Sequence, residues 1–205
     1  MRKFTNDYSL IRFLNAAPGR GPVDIYLNGS LFFNRVLFTQ FTPYLYVPKG
    51  TYEVAIFPTM KKENPLIRKS LDIDSDELAT LALTGNEPLE LLLIPESKGG
   101  VDENNSKLRV VHLSPNIPKV NIILDNEKIL FPEVDFKEST EYVKLPPDMY
   151  RIDIELSENN RLLRSNRVRI NPNGIYSLYM IGNFANFQVF RSRDGAAFLS
   201  PIIRK

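Results

Sequence analysis

Apolar residues recur at every second position through much of the chain. Tyr150, Ile152, Ile154 and Leu156 alternate with Arg151, Asp153 and Glu155, while Tyr52, Val54 and Ile56 alternate with Glu53, Ala55 and Phe57. A period of two matches side chains that point to opposite faces of a β-strand. Val23, Ile25 and Leu27 follow the same rule and run into Asn28-Gly29, a pair suited to the two positive φ angles of a type I′ hairpin turn. Further turn signals at Pro18-Gly19, Thr42-Pro43, Lys49-Gly50, Asn64-Pro65 and Gly85-Asn86 fall at the spacing expected of short sandwich strands. One stretch, "SDELATLALTG", competes as a helix, because Leu78, Leu81 and Ala82 could share a face after Ser75. A second stretch of similar form, "NGIYSLYMIGN", is aromatic-rich and alternates Tyr176, Leu178 and Met180, so both are read as strands.

Those two stretches belong to an internal duplication. Ile11-Arg12-Phe13-Leu14 with Pro18 matches Leu108-Arg109-Val110-Val111 with Pro115, an offset of 97 positions between Arg12 and Arg109. "VDIYLNG" (Val23 to Gly29) matches "VNIILDN" (Val120 to Asn126), and "LTGN" (Leu83 to Asn86) matches "MIGN" (Met180 to Asn183), at the same offset. Tyr44, Pro48 and Tyr52 match Tyr142, Pro146 and Tyr150 one position further on. Units of this size are small domains rather than solenoid repeats. The predicted organisation is a first β-sandwich repeat over residues 1–95, a linker over 96–106, a second repeat over 107–192 and a C-terminal tail over 193–205. The linker, "ESKGGVDENNS", is polar and contains a Gly-Gly pair. The fold class expected is all-β: two tandem antiparallel sandwiches of immunoglobulin- or transthyretin-like type.

Composition narrows the chemistry. The 26 basic and 24 acidic residues nearly cancel, leaving no long-range field to hold a nucleic acid. The absence of cysteine excludes disulfides, thiolate metal sites and a cysteine nucleophile. No apolar run approaches the roughly 18 residues of a membrane-spanning helix. The N-terminal stretch is interrupted by Asn6, Asp7, Ser9 and Arg12, so no cleaved secretion signal is expected there.

An Arg-containing first strand, a Pro turn, a "V-D-I-Y-L-N-G" strand and then Tyr, Pro and "G-T-Y-x-V" together resemble a bacterial domain-of-unknown-function family numbered 4397. Ile11 to Pro18, Val23 to Gly29 and Tyr44 to Ile56 carry the resemblance, with Leu108 to Pro115 and Tyr142 to Ile154 as the second copy. It implies small β-sandwich modules in tandem, often in exported or surface proteins, with no catalytic residues to carry over.

The residues themselves offer few candidate sites. His112 is the only histidine and its counterpart is Asn15, which points to a hydrogen-bonded structural role. Asp72, Asp74, Asp76 and Glu77 are spaced like calcium ligands, but an EF-hand needs Gly and Glu where Glu77 and Leu83 stand. The second copy replaces that stretch with "RINPNG", so no metal is expected. "AAPGRGP" precedes a strand, and a phosphate cradle needs a helix. Arg161, Arg164, Arg167 and Arg169 form a basic row suited to guarding a sheet edge. Six aromatics crowd one short segment: Phe32, Phe33, Phe38, Phe41, Tyr44 and Tyr46. Alternation cannot turn all of them into one small core, which makes them the speculative ligand- or partner-binding surface. The expectation is a non-enzymatic structural or interaction module without cofactor, assembling or displayed at a bacterial cell or spore surface. A protein partner or self-association is favoured, a small ligand or glycan is the alternative, and neither nucleic-acid binding nor membrane insertion is expected.

Overall fold

The computed structural model describes residues 7–101 and 104–195. Expectations about the first six residues, and about the tail from position 196 onward, lie outside the described residues. The chain divides into two units, Met1–Glu96 and Ser97–Lys205.

In the first unit, β1 (Tyr8–Asn15), β4 (Leu45–Pro48), β7 (Leu78–Gly85) and β8 (Leu89–Pro95) form one sheet in the order β4-β1-β7-β8. The other sheet contains β2 (Val23–Leu27), β3 (Ser30–Val36), β5 (Gly50–Pro58) and β6 (Ile67–Ile73), in the order β3-β2-β5-β6. The second unit repeats this order. Its β9 (Ser106–His112), β12 (Val143–Leu145), β15 (Ile175–Ile181) and β16 (Gln188–Arg193) form β12-β9-β15-β16. Its β10 (Val120–Leu124), β11 (Lys128–Val134), β13 (Met149–Leu156) and β14 (Leu162–Arg169) form β11-β10-β13-β14. The fold is all-β, as the period-two pattern predicted.

The sandwiches are antiparallel as expected, apart from one pair of strands in each unit. β1 and β7 run parallel, with Arg12 opposite Thr80, and β9 and β15 run parallel, with Arg109 opposite Ser177. A parallel pair needs a long crossover, and here the second sheet supplies it. The central strands also explain the ambiguous "LATLALTG" pattern. Every residue of β7 and β15 is buried, so both faces are packed away from water and the apolar-polar alternation of a half-exposed strand is weak in "LATLALTG".

Between the sheets lie the apolar cores. Phe13, Ile25, Val54, Ile56, Leu81 and Leu83 belong to the first, and Val110, Ile122, Ile152, Ile154, Leu178 and Met180 to the second. The repeated local motifs have mechanical explanations. Tyr52 donates its hydroxyl hydrogen to the Pro48 carbonyl at 2.7 Å and Tyr150 to that of Pro146 at 2.9 Å, closing a corner in each unit. Asn28 and Gly29 have φ of 47° and 77°, and Asp125 and Asn126 have 51° and 62°. Both hairpins therefore use the turn geometry that the Asn-Gly pair announces. Arg35 and Glu133, each at φ 49°, mark a bulge in β3 and β11. Their amides donate to Asp24 and Asn121 at 2.7 and 2.9 Å.

Gly85 and Gly182 show why Gly-Asn recurs. Both have φ near +90°, and a Cβ would lie 2.6 Å from the Pro88 carbonyl oxygen or 2.4 Å from that of Asn186. Gly182→Ala should therefore destabilise the second unit by more than the roughly 1–2 kcal/mol of a left-handed backbone alone. Gly29→Asn, where a Cβ meets nothing within 4 Å, should cost much less. Urea unfolding of the two variants checks the difference.

Candidate functional site

The most concentrated chemistry in each unit is a buried polar cluster behind the core. Ile11 and Phe13 face the core, so alternation turns Arg12 to the other side of its sheet, beside Thr80. Arg12 is 4% exposed and Glu96 6%. The Arg12 Nε donates to Thr80 Oγ1 at 2.8 Å, and that hydroxyl donates to Glu96 Oε1 at 2.6 Å. Arg12 Nη2 lies 3.1 Å from the same carboxylate oxygen, and the Tyr44 hydroxyl donates to Glu96 Oε2 at 2.7 Å. The rings of Phe41 and Tyr44 stack on the guanidinium, with centroids at 4.3 and 4.8 Å.

The second unit rebuilds the cluster with shorter residues. Arg109 Nε donates to Ser177 Oγ at 2.8 Å, Ser177 donates to Asp194 Oδ2 at 2.8 Å, and the Tyr142 hydroxyl reaches the same oxygen at 2.5 Å. The guanidinium lies 4.6 Å from the centroid of Tyr142. Burial and the adjacent Asp194 charge push the Tyr142 phenol far up, against a smaller downward pull from Arg109. It stays protonated and acts as a donor. The arrangement compensates a buried cation and a buried anion, with rings and hydroxyls holding both.

Sequence reasoning placed Glu96 in the linker and Asp194 in the tail. Both are the carboxylates of these clusters. Arg12 and Arg109 carried the detectable signal, since an arginine inside an apolar strand, repeated at an offset of 97, needs a buried acidic partner.

His112 is fully buried. Its Nδ1 accepts from the Ser114 amide at 3.2 Å and its Nε2 faces the Pro118 carbonyl at 3.4 Å. Asn15 does the same work in the first unit, accepting from Ala17 N at 3.3 Å and donating to Gly21 O at 3.2 Å. Burial lowers the His112 pKa, against upward pulls from the Pro118 and Ile117 carbonyls and from the Asp135 and Glu138 charges. For Asp24, burial alone would raise the pKa. Donors from Arg35, Thr59 and Met60 outweigh it, and the carboxyl is held below its usual range.

The six clustered aromatics separate by environment. Phe32 and Phe33 pack against the first core and meet edge to face at 5.0 Å. Phe41 and Tyr44 cover Arg12, Phe38 is half-buried, and Tyr46 is 70% exposed. Tyr46 stands opposite Leu10 in the β1/β4 register, diagonal to the exposed Tyr8. Asp72 accepts from the Thr51 hydroxyl at 2.6 Å, and the Asp74 carbonyl accepts from Ser9 at 2.6 Å. Among the described residues no three His, Asp or Glu side chains are grouped to hold a metal. Arg164, Arg167 and Arg169 lie on β14, an edge strand, and Arg161 precedes it with its guanidinium 5.7 Å from the Phe184 centroid.

Fold and buried clusters together define a tandem β-sandwich protein with one structural frame built twice. The family model described as "Domain of unknown function (DUF4397)" matches residues 9–123 and 109–197; the chain belongs to that family and carries two copies of its domain. No curated protein matches the chain. Among solved structures it is similar to the Bacillus anthracis TIE protein, at 14% identity over 86% of this chain and 34% of that one, with a TM-score of 0.29. The chain thus spans about a third of that protein's length. It is also similar to the CBM26 module of Eubacterium rectale Amy13K in complex with maltoheptaose, at 8% identity over 91% and 99% of the two chains, with a TM-score of 0.28. A structure titled "Alpha-glucan binding by a streptococcal virulence factor" matches at 11% identity over 89% and 96%, with a TM-score of 0.30. At these scores the likenesses carry no argument about function.

Two outcomes follow from the buried groups. Because the folded pKa of His112 is lowered, the unfolded chain binds its proton first as pH falls through about 6.5. The His112 contribution to stability is therefore complete above that pH and declines below it. Thermal melts between pH 7 and pH 5 should show this loss in the wild type and its removal in His112→Asn. Asp194→Ala leaves the Arg109 charge buried without its carboxylate and should cost about 3–5 kcal/mol, read by urea unfolding of the second unit.

Proposed function

We propose that the protein is a non-enzymatic interaction module, a pair of rigid sandwiches that serve assembly or display at a bacterial cell or spore surface. The observation that supports this is the contrast between what the two copies share and what they vary. Shared are the buried Arg-hydroxyl-carboxylate-Tyr cluster, the Tyr-to-Pro corner and the Asn15 or His112 loop anchor. Varied are exposed edge positions: Ser70 and Asp72 on β6 correspond to Arg167 and Arg169 on β14, each pair lying at the same register against β5 or β13. A frame kept while its rim changes suits a scaffold that presents different surfaces. A shared active site would instead require its reactive groups in both copies.

Exposed apolar side chains strengthen the reading. Leu31 and Ile129 occupy equivalent places on β3 and β11, and both are more than half exposed. Repeated exposure of an aliphatic residue at a sheet edge is what an association surface requires. A second reading, a glycan platform, draws on Tyr8 and Tyr46, two exposed rings on one face.

Light scattering across a concentration series, with pull-down from a bacterial extract, tests the first reading. Concentration-dependent association or specific capture of a partner is expected; a strict monomer that captures nothing contradicts it. A thermal-shift screen over glycans tests the second, since a ligand at a hundred times its Kd raises stability by about 2.7 kcal/mol. That shift should vanish in Tyr46→Ala.

A further inference from the structure

At the β14 and β16 side of the second unit, the two sheets part to leave a cleft of about 320 Å³. Val168, Leu178 and Val189 supply its apolar walls, and Arg167, Arg169 and Arg191 stand at its rim. Among the described residues, β14 is bonded only to β13 and β16 only to β15, so within them each presents an open row of main-chain donors and acceptors. Among the described residues, Arg167 and Arg169 have no carboxylate within ion-pair distance, and the Arg191 guanidinium rests 4.8 Å from the Tyr176 centroid. Asn166 also lines the cleft, with a buried side-chain oxygen that has no hydrogen-bond partner among the described residues.

The first unit treats the same place differently. Lys69 occupies the register of Asn166, opposite Val54 where Asn166 is opposite Ile152. Its Nζ donates to the Leu91 carbonyl at 3.1 Å, tying edge β6 to edge β8. In place of Arg169 stands Asp72, which accepts from Thr51. In place of Arg191 stands Leu93, opposite Leu81 as Arg191 is opposite Leu178. One copy is clamped by Lys69 and carries Asp72 at this rim; the other has Asn166 in place of the lysine and three arginines.

We infer that this cleft is a docking site for an extended acidic segment of a protein partner, which adds as a strand beside β14. The inference rests on the interaction-module reading and names its site and partner chemistry. Arg167 and Arg169 are two positions apart and share the outer face of the sheet, while Val168 between them points into the cleft. A strand laid alongside would meet arginine at every second residue, about 6.6–6.8 Å apart, and the apolar walls between them. The complementary pattern is acidic-apolar-acidic, with main-chain bonds giving affinity and the alternating side chains specificity. A folded second copy does not meet this requirement through its own Leu71-Asp72-Ile73-Asp74, because Leu71 and Ile73 are committed to the core of their own unit. The partner must be a segment whose apolar side chains are free.

Fluorescence polarisation of a labelled eight-residue peptide alternating Glu and Val, against the full chain at low salt, tests the assignment. The expected result is saturable binding that weakens as salt rises, with no binding of the Lys-Val counterpart. Grafting the first unit's residues (Asn166→Lys, Arg167→Ser, Arg169→Asp and Arg191→Leu together) should weaken binding about tenfold or more, as loss of several partly exposed charge contacts would. The single variant Arg169→Asp should weaken it in the same direction, and far-ultraviolet circular dichroism of both should match the wild type. Equal affinity of wild type and graft, equal binding of the basic peptide, or preference for heparin over the acidic peptide would overturn the site. Because the graft leaves Leu31, Ile129 and Tyr46 intact, a failed peptide result beside persistent self-association rejects the cleft alone, whereas a monomer that captures no partner rejects the wider reading.

Discussion

Each sandwich depends on a buried guanidinium whose charge is answered within its own unit. Arg12 and Arg109 sit on central strands of their sheets, where an uncompensated cation would be costly. The compensation joins residues far apart in sequence: a hydroxyl on the parallel neighbour strand, a phenol from the segment between the third and fourth strands, and a carboxylate just beyond the last strand. The cluster thus ties the first strand of each unit to the chain that follows its last one. It depends in turn on the strand order, since Thr80 and Ser177 reach their arginines because β7 and β15 lie directly beside β1 and β9.

With one buried guanidinium and carboxylate committed to each frame, the charge differences between the copies fall on the rim. The two units share strand order, turn geometry and corner bonds, and differ where a side chain costs the fold little. At one edge the first unit is laced shut by Lys69 and the second is held open with arginines around it. Duplication followed by divergence of edges gives one chain two differently charged edges on one architecture.

Much of this was legible in the sequence. Period-two alternation identified the strands, and the offset of 97 identified the duplication because both copies kept the corner prolines and tyrosines and the Gly85 or Gly182 turn. The Asn-Gly hairpin and the pairing of His112 with Asn15 also followed from residue types. The buried clusters were less visible. Glu96 and Asp194 stand in polar stretches, and nothing local distinguishes a buried carboxylate from a solvated one. The parallel pair was hidden because the alternation of side chains reports the faces of a strand and not the direction of its neighbour. The aromatic crowd between Phe32 and Tyr46 looked like one surface, yet it serves several environments, since Phe32 and Phe33 lie on β3 and Tyr46 on β4 while Phe38, Phe41 and Tyr44 lie on the connection between them, which does not obey the alternation of a strand. The edge cleft was hidden as well, because it depends on β14 and β16 being neighbours across two sheets.

On the function proposed above, the chain acts through the rims of its sandwiches while the buried clusters hold them. Hydrogen exchange on the protein, free and in its associated or partner-bound form, tests it most directly. Amides of the exposed edge strands should gain protection on association while those of β1, β7, β9 and β15 do not change. Protection confined to the strands that carry Arg12 and Arg109, with the edges unaffected, would contradict it.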